Sequence, residues 1–252
     1  ATPSIGGSFV GEGAPIPVRR LGLTSITLSP KKMGVISVFS REIARYSTPA
    51  IEALIRNEII ADTAITLDSL LLDASAGSAV RPAGLLNGVT PLAATTGGGH
   101  AAILGDIRKL QVAFDAVNAS GNIMLLMNPA QALALELTPG PDGTLGWARD
   151  IMARYRVTTS TAIPAGQIIA IRADDFVTAT GDVPEFETSN EATIHLEDTT
   201  PAQIGTAGTP AVVAAPVQSM FQTAQTAIRM LLDVSWAMRR TGMVQTVAGV
   251  TW

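Results

Sequence analysis

The chain has 252 residues, 47% of them hydrophobic, 15% charged and 4% aromatic, with a formal charge of −4 and no cysteine. Such a length and apolar share describe a folded chain with room for one sizeable core or two linked lobes, and they exclude intrinsic disorder. The acidic balance argues against a general nucleic-acid binder, whose phosphate contacts need clustered Lys and Arg, while the lack of cysteine excludes disulfides and thiolate chemistry and fits a reducing cytoplasm.

With so few aromatics the core must be built from Ala, Leu, Ile, Val and Met. Low charge with positive mean hydropathy implies an apolar share of surface that suits burial between subunits. No stretch approaches the roughly 18 consecutive apolar residues of a membrane helix, and ATPSIGGSFVGEG carries neither a basic region nor an apolar run. Neither a membrane span nor a signal peptide is expected.

Residues 9–20, FVGEGAPIPVRR, contain Gly11, Gly13, Pro15 and Pro17, which support neither a helix nor a central strand and predict an exposed loop. LTSITLS and MGVISVFS, bounded by Pro30 and Gly34, read as extended arms. Loop and arms together predict a projecting hairpin that needs a neighbour to lie on. Ser40 to Ser47 reads as a short helix or turn capped by Ser40. From Ser47 to Gly77 the pattern predicts one long helix, with Thr48 as N-cap, Pro49 in the first turn and Gly77 as the stop. Ile51, Leu54, Ile55, Ile59 and Ile65 recur at three- and four-residue steps, while Glu52, Arg56, Asp62 and Asp68 fall largely on other faces. At 1.5 Å per residue this spine would be ~40 Å long, so part of its surface is meant for neighbours.

RPAGLLNGV, from Arg81 to Val89, predicts a short strand between turns, and TTGGGH at Thr95 to His100 a Gly-rich loop. A second helix is expected from Ile103 to about Ala119, where Ile103, Ile107, Leu110, Phe114 and Val117 keep helical spacing. Then come a buried strand at Ile123 to Met127, a helix opened by Asn128 and Pro129, and a Pro/Gly loop from Pro139 to Gly146. RVTTSTAI and GQIIAIRA read as strands around a Pro164-Ala165-Gly166 turn. An acidic stretch and a long loop follow, and Val217 to Trp252 gives a helix or long strand and two strands around a turn at Arg240 to Gly242.

The search for reactive chemistry yields no catalytic, cofactor or metal site. Only His100 and His195 are available for acid–base work; the first ends a glycine run and reads as surface loop, the second alternates with Ile194 and Leu196 as a polar-face strand residue. GGGH lacks the Lys-Ser/Thr ending of a phosphate-cradling loop. Asp174, Asp175, Glu185, Glu187, Glu191, Glu197 and Asp198 have no metal-ligand spacing and read as a solvated acidic face.

The order of parts resembles the major capsid proteins of tailed bacteriophages with the HK97 fold. The resemblance is carried by EGAPIPV at Glu12 to Val18, the run VFSREIARYSTPAIEALIRNEIIADTAITLDSLLLDASAG at Val38 to Gly77, RPAGLLNGV at Arg81 to Val89, IMLLMNPAQALAL at Ile123 to Leu135, and Met220 to Trp252. It implies an α+β chain with an E-loop hairpin in residues 1–36, a peripheral (P) domain in 37–120 with its spine helix at 48–76, and a mixed α/β axial (A) domain in 121–216. Residues 217–252 would return to the P domain.

The resemblance implies a structural subunit, not an enzyme, self-assembling into pentamers and hexamers around double-stranded DNA in a virion assembled in the bacterial cytoplasm. No cofactor or membrane is implied, and portal, scaffold or protease proteins are the further partners. An encapsulin-type nanocompartment shell is the alternative, and a soluble enzyme using the acidic stretch a third reading. Family members carry an N-terminal arm ahead of the E-loop tip, so upstream sequence, including a scaffolding segment or a fused protease, is expected to be absent here. Isopeptide cross-linking is not expected, because GAPIP has no lysine and Val217 to Trp252 has no asparagine. The contacts between subunits are expected at Glu12, Pro15, Pro17, Arg19, Arg20, Lys31 and Lys32 of the E-loop, and at Pro139, Asp142 and Gln203 of the A-domain loops.

Overall fold

IMLLM and QIIAIR carry apolar residues at successive positions, so both faces of each strand need cover, and they form the middle of the larger sheet. A computed structural model describes residues 9–12, 26–46, 51–119, 121–181, 183–196, 205–206, 209, 212–213 and 217–252. Contacts divide the chain into two units, one holding Leu85–Val177 with Trp236–Trp252, the other Pro30–Gly84 with Thr178–Ser235.

In the first unit five strands run in the order Leu92–Ala93, Val244–Ala248, Gln167–Arg172, Ile123–Met127, Arg156–Thr159. Val244–Ala248 pairs antiparallel with Gln167–Arg172, which pairs antiparallel with Ile123–Met127; the latter is parallel to Arg156–Thr159. RVTT and QIIAIR, neighbours in sequence, are therefore separated by the earlier IMLLM strand. The turn expected between them exists, since Gln167 N donates to Pro164 O at 3.3 Å. A core helix, Gly99–Ala116, covers one face with Ile103, Leu110 and Phe114 fully buried in a cluster with Leu125, Met127, Leu135, Ile168 and Val247. The helix Pro129–Leu137 opens as the Asn-Pro pair predicts, because Asn128 Oδ1 accepts from Ala130 N at 3.0 Å. A further short helix, Arg149–Arg154, is not legible in the sequence.

Two local expectations change in this unit. RPAGLLNGV forms no strand: residues 85–88 make a turn with Gly88 at φ +74°, and the short strand lies three residues beyond the segment, at Leu92–Ala93. Leu85 and Leu86 are adjacent and both buried, whereas a one-faced strand buries alternate residues. The core helix begins at Gly99, so His100 sits in its first turn, where its ring meets the Trp147 indole edge-on at 4.8 Å.

The second unit is organised on one long strand, Gln225–Met238, most of which lies in it. Lys31–Ser40 runs antiparallel to it from the pair Lys31↔Val234 to Ser40↔Gln225, and Glu185–Ser189 pairs with its other side. The second arm of the expected hairpin is thus hydrogen-bonded to the C-terminal long strand, and residues 26–30 form no strand. Ser40 caps the short helix Arg41–Tyr46 by accepting from Ile43 N at 3.2 Å.

The long helix spans Ile51–Leu71, 21 residues and about 30 Å. The expected first turn, with Thr48 and Pro49, lies outside the described residues, and the helix stops at Leu71 instead of continuing to 76. The end is set by Asp73, whose carboxylate accepts from Arg81 Nη2 at 2.8 and 2.7 Å and from Ser75 N at 3.1 Å. These bonds hold 73–84 in a tight loop, and a Cβ added at Gly84 would lie 2.0 Å from Asp73 Oδ1. Burial raises the Asp73 pKa, but the bonds from Arg81 and Ser75 outweigh it and hold the carboxyl below its ordinary range.

Residues 225–235 belong with the long helix, and 236–252 lie in the unit of the five-stranded sheet.

Candidate functional site

Of the five described acidic residues weighed for catalysis or metal binding, Asp174, Asp175 and Glu187 stand against guanidinium groups. Asp175, buried at the end of a 3-10 turn, accepts from Arg240 Nε at 3.0 Å and Nη2 at 2.7 Å and stands 3.2 Å from Arg172 Nη1. Glu187 faces Arg229 across the sheet and pairs with it. Each such pair leaves little net negative charge to attract a cation. Among the described residues no group of three or more His, Asp or Glu could hold a metal ion. Glu197 and Asp198 lie outside the described residues. His195 is half-buried in the strand Thr193–His195, opposite Val217.

Periodicity and motif spacing do not single out Asp106, which is fully buried on the inner face of the core helix. Its carboxylate accepts from Thr95 N at 2.6 Å and from Trp252 Nε1 at 2.9 Å, tying the end of the chain to the helix, with Lys109 Nζ at 3.9 Å. The one available signal is its place between Ile103 and Ile107, inside the apolar stripe, where a lone carboxylate must find donors.

What the molecule offers outward is apolar surface. Along the long helix only Ile59 and Thr63 are buried, with Ile55 half-buried beside them. Ile59 and Ile55 pack with Phe39, Phe186, Ile228 and Met230, while Leu54 is 53%, Ile60 48% and Ile65 59% exposed. The apolar stripe is wider than the strip its own unit covers. In the other unit, Leu133, Leu137 and Leu145 stand exposed around the loop 138–146.

The expected contact residues fall in different places. Glu12 is exposed in a turn, whereas Pro15, Pro17, Arg19, Arg20 and Gln203 lie outside the described residues. Lys31 is already engaged, its ammonium donating to Ala79 O at 2.7 Å. Lys32 is exposed, opposite Asp233 in the strand register. Pro139 and Asp142 are exposed in the loop, which belongs to the other unit from the two lysines.

A family model described as the phage capsid family matches residues 1–230. The chain belongs to the phage capsid family. A capsid polyprotein of Pseudomonas phage PAJU2 is 30% identical over 262 aligned positions covering 98% of this chain, which spans 38% of that relative's length. Solved structures similar in fold include one from Mycobacterium phage Adephagia, with a TM-score of 0.69 and 13% identity over 98% of this chain and 82% of the other. A Microbacterium phage Oxtober96 structure gives 0.70 with 12% identity over 97% and 81%, and the capsid of an empty GTA particle 0.60 with 15% identity over 95% and 81%. The fold is the α+β, HK97-like one that the resemblance implied. For a capsid-family chain, surface that its own units leave apolar is where function is to be sought, and the matches favour a capsid over a nanocompartment shell.

Proposed function

We propose that many copies of this chain assemble through pentamers and hexamers into an icosahedral shell around double-stranded DNA, built in the host cytoplasm. The observation that carries the reading is the long helix, which presents Leu54, Ile60 and Ile65 to solvent although its unit has a cluster available to bury them. A helix apolar beyond its own packing strip is stable in water only at a cost, and a neighbouring copy removes that cost by covering it. Closed rings follow from heterologous contacts whose rotation closes, and the similar GTA capsid is described with C5 symmetry.

In this reading residues 1–36 serve as the E-loop and the long helix with the long strand as the peripheral lobe. The unit of the five-stranded sheet serves as the axial lobe, including the C-terminal residues 236–252. Portal, scaffold and protease proteins are the partners that shell building calls for. Light scattering behind size exclusion, with negative-stain microscopy of the heaviest fraction, tests the proposal. Rings of five or six subunits, or shells, are expected; a monomer at all concentrations, here and with an upstream arm added, would overturn it.

A further inference from the structure

Resting on that reading, we propose that the ring contact is a knob-in-groove joint made by the unit of the five-stranded sheet: the loop 138–146 of one copy enters a groove between the core helix and the helix Arg149–Arg154 of the next.

The groove has a volume of about 830 Å³ and is lined by Leu104, Ile107 and Ile151, with Arg108 and Arg154 exposed at its margin. Among the described residues no carboxylate lines it. Its shape is fixed before any partner arrives. Tyr155 Oη donates to Gln111 Oε1 at 2.7 Å, joining the end of the short helix to the core helix, and Gln111 Nε2 in turn donates to Asp115 Oδ1 at 2.8 Å.

The knob has the complementary chemistry. Leu137 is 57% and Leu145 66% exposed, flanked by Glu136 and by Asp142 at the loop tip. The depression between Leu137 and Leu145 contains Glu136 and, among the described residues, no cation. This loop is also preformed. Trp147 Nε1 donates to Thr138 O at 2.5 Å, Gly140 N to Thr144 O at 2.9 Å, and Gly143 N to Gly140 O at 3.0 Å. The indole packs so closely that a Cβ on Gly140 would meet it at 3.2 Å. A fastened loop loses little conformational freedom on docking.

Two leucines between carboxylates match an apolar floor between guanidinium groups, the pattern of an apolar centre with a complementary charged rim. The patches are distinct. Met152 lines the knob side and Ile151 with Arg154 the groove side of one short helix. One copy can therefore offer its knob to one neighbour and its groove to another, which is the heterologous arrangement a ring requires. The occupant of the groove is a second copy of this chain.

Charge reversal tests the joint. Arg108→Glu with Arg154→Glu should abolish rings in light scattering and negative stain while leaving the melting temperature of the monomer within a few degrees, and Glu136→Arg with Asp142→Arg should do the same. All four changes in one chain should restore rings. Mixing the two double variants should restore six-membered rings and not five-membered ones, because complementary partners must alternate. Rings that survive either reversal, or that fail to return in the folded fourfold variant while the wild type forms them, would overturn the joint and leave the shell reading standing. A wild type that stays monomeric at all concentrations, also with an upstream arm added, would overturn both.

Discussion

In the unit of the five-stranded sheet, Ile103, Phe114, Leu135, Ile169 and Val247 are wholly shielded from solvent, and strands on both sides of Gln167–Arg172 complete its hydrogen bonding. In the unit of the long helix the corresponding cluster is Ile59, Ile228 and Met230, while leucine and isoleucine side chains elsewhere on the same helix face outward. Both units draw on the same aliphatic alphabet. The difference is that a sheet with a helix laid on it closes its own core, whereas a long helix against a narrow sheet covers one strip of its circumference and leaves the rest for another molecule.

Mutations can break this comparison. The largest effect is expected from Phe114→Ala in the closed core, a loss of about 3–5 kcal/mol in urea unfolding. A loss below about 1 kcal/mol would mean that the core is not closed. Ile228→Ala should lose less, about 2 kcal/mol, because its cluster is small and its neighbours Phe39 and Phe186 can relax into the gap. An Ile228 effect equal to that of Phe114 would remove the contrast.

Acid gives a smaller and signed test. The Asp73 carboxyl titrates below its unfolded value, so the unfolded chain binds the extra proton and stability rises with pH through that window. The contribution is complete above the unfolded pKa of about 4 and is lost as pH falls through the folded value. Asp73→Asn should therefore lower the urea midpoint at pH 7 and close the gap to wild type near pH 2; a gap that persists there would place the loss in packing, not in charge. The smallest effect on the monomer is expected from Ile60→Ser and Ile65→Ser, within about 0.5 kcal/mol. The same variants should nonetheless lose assembly by light scattering, and unchanged assembly would sharpen the comparison against the long helix as a docking face.

Several elements are legible in the residues alone. Ser40 and Asn128 act as caps where the residue type at a helix start predicts, because their side chains can satisfy amides the helix leaves open. IMLLM and QIIAIR are strands because their runs are short and apolar at successive positions. The end of the long helix is not legible: Asp73 finds Arg81 eight residues on, and a local pattern does not show that bond. The Glu187–Arg229 and Asp175–Arg240 pairs are hidden for the same reason, so the acidic stretch reads as free carboxylates. The exposure of Pro139 and Asp142 in a loop can be anticipated from composition, while the engagement of Lys31 with Ala79 cannot.

By itself the sequence determined the class of the molecule and its local pieces: a cysteine-free α+β chain, a long helix with more apolar residues than one packing strip can use, and the order of segments that marks the phage capsid family. Such features depend on neighbours within a few residues, where periodicity and caps act. Only the tertiary structure decided which strand lies beside which, so that IMLLM sits between RVTT and QIIAIR and the last strand joins the sheet of residues 123–172. It also decided which apolar residues of the long helix are left facing water, since burial is a property of what lies opposite and not of the residue that is buried.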